Sequence, residues 1–183
     1  MSEPFRILVI CTGNICRSPL AERLLQSRLS DNFSVGSAGT HGWNGAEMDP
    51  LAAEELRRLG GDPAGFRSRP MRGIDIVNAG LVLTATKAHR SAALLVEPSA
   101  LHRTFTLREL AWLAPRTEAT RMTELVARAS TCRSATDLDE YDIPDPYGGP
   151  AQRHRQVADI IQASIGPVAD ALQRVSRGAQ ARS

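Results

Sequence analysis

The chain has 183 residues, of which 42% are hydrophobic and 23% are charged, and its formal net charge at pH 7 is +2. This composition excludes a mainly disordered protein and supplies a sizeable core, so we expect a single domain over residues 1–183. The 22 basic residues are scattered among 20 acidic ones, which argues against binding of nucleic acid. The sequence contains no apolar stretch long enough to span a bilayer, so we expect no membrane segment.

The cysteines and the N-terminus indicate a cellular compartment. The chain contains three cysteines, and an odd number argues against a disulfide framework and for a reducing environment. The apolar run near the N-terminus, from Ile7 to Ile10, is too short for the core of a signal peptide. We therefore expect a cytoplasmic protein.

The hydrophobic pattern alternates between short strands and helices along the chain. Short apolar runs rich in branched residues predict strands at 5–10, 33–37, 81–83 and 104–106. Apolar residues at helical spacing, together with capping residues (Ser18, Asp49, and Thr84 or Thr86), predict helices at 19–29, 50–59, 74–77, 87–96, 107–113, 120–129 and 152–175. We expect residues 177–183 to form a frayed, disordered tail.

Strands that alternate with helices imply an α/β fold, in which helices cover both faces of a parallel sheet to give three α-β-α layers. Ligands of such folds lie at the carboxyl ends of the strands. The first strand runs into Cys11. The segment that follows it is therefore where we expect a functional site.

The segment from Cys11 to Pro19 reads CTGNICRSP, and it combines the parts of an anion-binding loop. Backbone N–H groups of a short loop converge on one point, Gly13 permits a tight turn, and the following helix adds its N-terminal dipole. Arg17 can donate two parallel hydrogen bonds to a tetrahedral anion. Such a field stabilises the thiolate form of Cys11, and Ser18 can donate to its sulfur. The loop therefore predicts a cysteine nucleophile that faces a phosphate-binding site.

Two other interpretations account for parts of this segment. A cysteine at the end of a buried strand is often an inert core residue, but that leaves the arginine, serine and proline of the loop unexplained. A zinc site would combine Cys11 and Cys16 with Cys132 or with histidines. The cysteine pairs lack the two-residue spacing of a zinc knuckle, so the sequence predicts no metal site.

The residues from Val9 to Pro19, VICTGNICRSP, resemble the active-site motif of the low-molecular-weight protein tyrosine phosphatases of the bacterial type. The resemblance continues at Ser37 to Thr40, at Trp43 and at Asp142 to Tyr147, and it covers most of the chain from residue 5 to about 175. It implies a four-stranded parallel sheet with the strand order 2-1-3-4.

The resemblance also implies the catalytic roles. Cys11 would attack phosphorus to form a cysteinyl-phosphate, and Asp145 would protonate the leaving oxygen and then activate water. Arg17 would hold the phosphate oxygens together with the loop amides. The remaining phosphate-binding loop residues are Thr12, Gly13, Asn14, Ile15, Cys16 and Ser18, the last of which would stabilise the thiolate.

Supporting roles follow from the same resemblance. Asn14 and Ser37 would brace the loop by hydrogen bonds. Cys16 would be the redox partner that forms a reversible disulfide with the nucleophile after peroxide oxidises it. Trp43 and Tyr147 would form the rim of the pocket and stack on a substrate ring. Neither a cofactor nor a metal is implied.

The sequence departs from the family pattern in four places. Phe66 stands where the family often has a histidine that supports the loop, so we expect a rearranged support. Ala85 and Thr86 replace the usual Met-Asp pair, and Thr86 can still cap a helix. Gly148 replaces a second aromatic residue, which predicts a more open rim. Residues 98–140 are longer than usual, and we expect a solvated insertion there.

The preferred function is hydrolysis of phosphotyrosine in proteins, and of aryl phosphates, with the substrates of a bacterial tyrosine kinase as candidates. A phosphoarginine phosphatase is one alternative, but such enzymes have a threonine in place of Ile15. An arsenate reductase would need an additional cysteine pair, and residues 70–100 hold no cysteine. A catalytically silent phosphate-binding regulator would not need Cys11, Arg17 and Asp145 together. We expect a monomer or a weak dimer.

Overall fold

A computed structural model describes residues 3–181 and shows a four-stranded parallel sheet in the order β2-β1-β3-β4. The predicted α/β class and strand order are therefore confirmed. Within the sheet, Ile7 lies opposite Val35 on one side and opposite Leu81 on the other. The strands are β1 (Phe5–Cys11), β2 (Phe33–Gly39), β3 (Leu81–Thr84) and β4 (Thr104–Thr106).

Helices cover both faces of this sheet. Between residues 3 and 181 they are α1 (Arg17–Gln26), α2 (Pro50–Arg58), α3 (Gly73–Val77), α4 (Lys87–Val96), α5 (Leu107–Leu113), α6 (Met122–Thr131) and α7 (Ala151–Gln180). Short 3₁₀ helices lie at Pro98–Arg103, Ala114–Arg116 and Arg133–Ala135. Among these described helices, none has the length and apolarity that crossing a membrane requires.

Alternation along β1 places the nucleophile candidate. Ile7, Val9 and Cys11 face the larger hydrophobic core, which α1, α5 and α7 share, whereas Leu8 and Ile10 face the smaller one beneath α3 and α4. Successive side chains of a strand point to opposite faces. The thiol of Cys11 therefore emerges at the carboxyl end of the strand on the same face as the large core.

Helix α1 begins at Arg17, two residues earlier than the capping residues predict. The N–H of Leu20 donates to the carbonyl of Cys16 at 3.3 Å, so Cys16 is the N-cap and Arg17 is the first helical residue. The predicted N-cap at Ser18 is wrong because the hydroxyl of Ser18 makes side-chain contacts in the loop instead. Arg17 thereby becomes part of the rigid helix.

The other corrections concern the C-terminal tail and the segment 98–140. The predicted disordered tail is wrong for residues 177–180, because α7 continues to Gln180 beyond its last buried residue, Val175, and a formed helix gains one hydrogen bond for each residue it adds. Residues 182–183 lie outside the described residues. The expected solvated insertion at 98–140 is also wrong in part, because Leu125 and Ala129 of α6 are buried in the large core.

Candidate active site

The loop between β1 and α1 is held from outside through its carbonyl groups. The carbonyl oxygens of Thr12, Gly13 and Ile15 accept backbone N–H groups from residues 41–49 at 2.9, 3.3 and 2.9 Å. The described residues contain no cis peptide, and a trans peptide directs its C=O and N–H in opposite directions. The N–H groups that follow these carbonyls consequently point into the loop, where they form a ring of donors for an anion.

Asn14 braces the loop from its centre. It has a φ of 55°, a left-handed conformation that asparagine adopts more readily than most residues. Its Nδ2 donates to the hydroxyls of Ser18 and Ser37, both at 2.8 Å, and its Oδ1 accepts the N–H of Arg69 at 2.9 Å. Phe66 is buried in the large core, and Asn14 is held by the backbone of Arg69 together with the two serines.

The hydrogen bond from Asn14 to Ser18 also sets the direction of the hydrogen bond between Ser18 and Cys11. Because the Ser18 hydroxyl accepts from Asn14, its own proton is free for the Cys11 Sγ, which lies 3.0 Å away. A hydroxyl that donates to sulfur stabilises the thiolate over the thiol. Cys11 is buried, with 2% of its surface exposed. The structure thus brings Ser18 to the position predicted for it.

Glu22, which no sequence motif had indicated, extends this network. The Ser37 hydroxyl donates to Glu22 Oε2 at 2.5 Å. Burial raises the pKa of Glu22, and the hydrogen bond from Ser37 opposes that rise. Glu22 lies four residues after Ser18 on α1, one turn further along the same face. That spacing is the signal by which Glu22 could have been found.

Arg17 is fixed at the mouth of the loop. Its guanidinium donates to the carbonyl of Ile143 at 3.1 Å and to the Thr12 hydroxyl at 3.3 Å, and it pairs with the carboxylate of Asp145 at 2.9 Å. Its Nε is buried and has no protein partner. A buried donor without an acceptor is costly. This N–H is therefore available to an anion in the loop.

Asp145 stands beside Arg17 on a segment that the sheet anchors. The N–H of Ile143 donates to the carbonyl of Ala85 at 2.8 Å, and the Ile143 side chain is buried. Asp142 in turn accepts the N–H of Lys87 at 2.7 Å. These two contacts hold the segment against the start of α4, although Asp145 itself is about half exposed.

The site opens through a pocket of about 170 Å³ whose lining includes Cys11, Arg17 and Asp145. Trp43 and Tyr147 stand at its edge with ring centroids 5.9 Å apart and planes at 84°. Both rings are about half exposed, so each has a free face. The predicted rim residues therefore lie together at the mouth of the pocket. His41, which the sequence analysis did not single out, lines the same pocket.

Cys16 also lines this pocket but differs from Cys11 in its surroundings. Burial raises the pKa of its thiol, and the carboxylate of Asp49 raises it further. Cys16 is thus held as a neutral thiol beside the loop, while Cys132, the third cysteine, is exposed.

His89 on α4 is a second site residue that the sequence did not reveal. Its Nε2 lies 2.8 Å from the Thr12 hydroxyl, and its Nδ1 lies 2.8 Å from the Thr86 hydroxyl. Thr12 accepts from Arg17 and keeps its own proton for a further hydrogen bond. It can donate this proton to Nε2 in the tautomer in which Nε2 is unprotonated and Nδ1 donates to Thr86.

The charge state of His89 fits this arrangement. Burial and then the positive charge of Arg17 lower the pKa of His89 to about 4, so the imidazole is neutral at neutral pH. A neutral imidazole can accept the proton of Thr12, whereas a protonated one cannot. His89 therefore orients Thr12, and through Thr12 it holds Arg17.

The structure is thus an α/β protein that places a buried cysteine at the end of β1, in an amide-lined loop with an arginine on the following helix. Comparison with known proteins gives the family. Residues 6–118 match the model of the low molecular weight phosphotyrosine protein phosphatases, and the chain belongs to this family. The resemblance drawn from the loop motif is confirmed.

Individual relatives cover between 77% and 93% of the chain. A protein-arginine-phosphatase of Geobacillus stearothermophilus is 32% identical over 93% of this chain and 97% of its own length. The low molecular weight protein-tyrosine-phosphatase Etp of Escherichia coli K12 is 36% identical over 77% of this chain and 76% of its own. The solved structure of the tyrosine phosphatase Wzb from Escherichia coli K30 is 25% identical, covers 92% of this chain and 98% of its own, and superposes with a TM-score of 0.73.

Proposed function

We propose that this protein hydrolyses phosphotyrosine in proteins through a cysteinyl-phosphate on Cys11. The observation that carries the proposal is the Cys11 sulfur beside a donor hydroxyl, with the unpartnered Nε of Arg17 and the carboxylate of Asp145 around the same pocket. These groups supply a nucleophile, an anion clamp and an acid, which are the three parts that phosphate monoester hydrolysis requires.

The first chemical step breaks the bond between phosphorus and the phenolic oxygen and forms a bond between phosphorus and Cys11 Sγ. The loop amides and Arg17 hold the three equatorial oxygens, on which charge is spread in the transition state. The leaving oxygen takes the proton of Asp145. A phosphate in the loop would replace Asp145 as the partner of Arg17, which frees the Asp145 carboxyl to carry that proton.

The second step regenerates the enzyme. A water molecule transfers a proton to the carboxylate of Asp145 and attacks phosphorus, the bond to sulfur breaks, and inorganic phosphate leaves. Cys11 returns as the thiolate that Ser18 stabilises. The carboxyl group of Asp145 thus acts as the acid in the first step and as the base in the second.

The aromatic rim supports tyrosine as the phosphorylated residue. Trp43 and Tyr147 lie edge to face at the mouth of the pocket with exposed ring surface. Aromatic groups favour edge-to-face and offset stacking, so a phenyl ring would gain contacts there as its phosphate reaches Cys11. Ile15 adds an apolar wall to the pocket.

Phosphoarginine is the second candidate substrate, because a relative named as a protein-arginine-phosphatase is 32% identical over 93% of this chain. Ile15 argues against it, since the guanidinium group of phosphoarginine keeps several N–H donors and an apolar branched side chain offers them no acceptor.

A substrate panel tests the proposal. We expect kcat/KM to be at least about tenfold higher for a phosphotyrosine peptide than for a phosphoarginine peptide. A buried N–H donor that finds no acceptor costs about 1–3 kcal/mol. Ile15→Thr should narrow this ratio by providing a hydroxyl acceptor. Ile74→Thr, on an exposed isoleucine of α3, is the matched control and should leave the ratio unchanged. A wild-type preference for phosphoarginine would establish the second candidate, and hydrolysis of neither would refute both.

The role of His89 gives a separate prediction. His89→Phe should lower kcat/KM for phosphotyrosine about tenfold and weaken inhibition by inorganic phosphate, because Thr12 loses its acceptor and Arg17 its support. His89→Gln, which keeps a polar group on the side chain, should recover part of the loss. His102→Phe, on an exposed histidine, serves as the control. Unchanged phosphate inhibition in His89→Phe would contradict the positioning role.

Two further features belong to the proposal. Cys16 lines the pocket beside the nucleophile and would form the reversible disulfide with Cys11 after peroxide converts the Cys11 thiolate to a sulfenic acid, with loss of water.

The free buried thiols support a reducing, cytoplasmic setting in which a bacterial tyrosine kinase provides phosphoprotein substrates. We propose a monomer or a weak dimer.

A further inference from the structure

A second cluster of reactive side chains lies behind the phosphate-binding loop. Cys16, Asp49 and His154 each contribute one ligand atom, and these three atoms all lie within 4.8 Å of one another. Cys16 is the N-cap of α1, Asp49 is the N-cap of α2, and His154 lies in the first turn of α7. The cluster therefore joins the starts of three helices.

His154 carries a polar atom that the protein leaves unsatisfied. Only 3% of the residue is exposed, and its Nδ1 is buried without a hydrogen-bond partner. The Asp49 Oδ1 is 3.7 Å from this nitrogen, which is beyond hydrogen-bond distance. Buried polar groups almost always have a partner. An orphaned imidazole nitrogen aimed at a thiol and a carboxylate thus indicates a ligand between them.

We propose that Cys16, Asp49 and His154 form a binding site for a zinc ion. Thiolate, imidazole and carboxylate are the ligand types that Zn²⁺ prefers. The charges also balance, because a thiolate and a carboxylate together neutralise a divalent cation while the imidazole remains neutral. Three protein ligands leave a fourth tetrahedral position for water.

The geometry requires only small side-chain movements. Zinc bonds of about 2.0–2.3 Å in a tetrahedral arrangement separate the ligand atoms by about 3.3–3.6 Å, compared with the 3.7 Å between His154 and Asp49 and the limit of 4.8 Å for the cluster. Asp49 Oδ1 accepts the N–H groups of Leu51 and Ala52 at 3.0 and 3.1 Å. The carboxylate of Asp49 would therefore bind zinc as well as cap α2.

The site was invisible in the sequence because its members are far apart along the chain. The expectation of no metal site rested on the spacing of the cysteines, and only the packing of α7 against α1 and α2 brings His154 to Cys16. A bound ion would displace the proton of the Cys16 thiol and tie these three helices together beneath the phosphate-binding loop. The disulfide between Cys16 and Cys11 would then form only in the zinc-free protein. Since such an ion binds the folded chain and not the unfolded one, it would raise the melting temperature.

The test uses the full-length protein in the Cys11→Ser background, which removes the active-site thiolate as a competing ligand. After treatment with a chelator, equilibrium dialysis with ZnCl₂ should give one zinc per chain. CoCl₂ should produce a thiolate-to-cobalt charge-transfer band. Zinc at a hundredfold excess over Kd should raise the melting temperature by about 5–10 °C. Adding Cys16→Ser should remove the charge-transfer band and weaken zinc binding at least about tenfold.

Asp49→Asn is the variant that separates metal binding from folding, because an asparagine can still accept the capping N–H groups of α2 while the anionic ligand is lost. It should weaken zinc binding at least about tenfold with unchanged circular dichroism. Asp62→Asn is the matched control, since Asp62 also accepts a backbone N–H and lies outside the cluster; it should bind zinc as the Cys11→Ser protein does. Absence of zinc binding at micromolar metal, or equal binding in the Cys16→Ser protein, would overturn the proposal.

Discussion

Cys11→Ser is expected to abolish turnover of phosphotyrosine and of p-nitrophenyl phosphate, by at least about 10⁴-fold in kcat, a loss on the scale seen when a nucleophile is removed. A thiolate attacks directly, whereas a serine hydroxyl needs a base to take its proton. The neighbouring Ser18 cannot be that base, because its hydroxyl accepts from Asn14 and donates toward position 11. The measurement is initial-rate hydrolysis of both substrates by purified protein.

The same variant should keep its anion site. The loop amides, Asn14 and Arg17 are unaffected by the exchange of sulfur for oxygen, so inorganic phosphate should bind to Cys11→Ser with a Kd within about threefold of the wild-type value, measured by calorimetry. Cys132→Ser, on an exposed cysteine, is the matched control and should turn over as wild type. Residual activity of Cys11→Ser within tenfold of wild type would show that another group is the nucleophile.

Much of this site could be predicted because its parts are local. The loop that carries Cys11, Asn14 and Arg17 is one continuous segment, and the alternation of Ile7, Val9 and Cys11 along β1 follows from the period of a strand. Hydrogen bonds from Ser18 to Cys11 and from Asn14 to Ser37 were expected from the resemblance, and the side chains lie within bonding distance. These contacts could be predicted because they lie in one local segment and in a family motif.

The features that could not be predicted depend on distant segments. His89 reaches Thr12 only because β1 and β3 are neighbours in the sheet, and His154 reaches Cys16 only because α7 packs on α1. Neither histidine belongs to a motif, and a histidine inside a helix is ordinarily a satisfied core or surface residue. The burial of α6 could not be predicted either, because the sequence does not show that the large core is what Leu125 and Ala129 pack against.

The start of α1 shows a conflict between local signals. Serine followed by proline predicts an N-cap at Ser18, yet the helix begins at Arg17 with Cys16 as its N-cap. The Ser18 hydroxyl is taken up by Cys11 and Asn14, so it cannot cap the helix. A residue used in the site thus overrides its usual role in secondary structure, which is where rules based on local preference are expected to fail.

Asp145→Asn should slow phosphotyrosine hydrolysis by about 10²-fold or more, within the range ascribed to general acid–base catalysis. An amide cannot protonate the leaving oxygen, so the size of the loss should depend on how much protonation the leaving group needs. Across a series of aryl phosphates, log kcat/KM should fall steeply with the pKa of the leaving phenol in the variant and only slightly in the wild type. p-Nitrophenyl phosphate, whose leaving group departs readily as an anion, should be the least affected substrate.

The ion pair with Arg17 adds a second observable. Asp145 pairs with Arg17 at 2.9 Å, and therefore competes with an anion for the guanidinium. Asp145→Asn removes that competitor, so the Kd for inorganic phosphate should not rise even though catalysis falls. Asp139→Asn, on an exposed aspartate, is the matched control and should change neither quantity. Equal slowing of all the aryl phosphates would contradict the acid role, whereas weaker phosphate binding with an unchanged leaving-group slope would make Asp145 a binding residue instead.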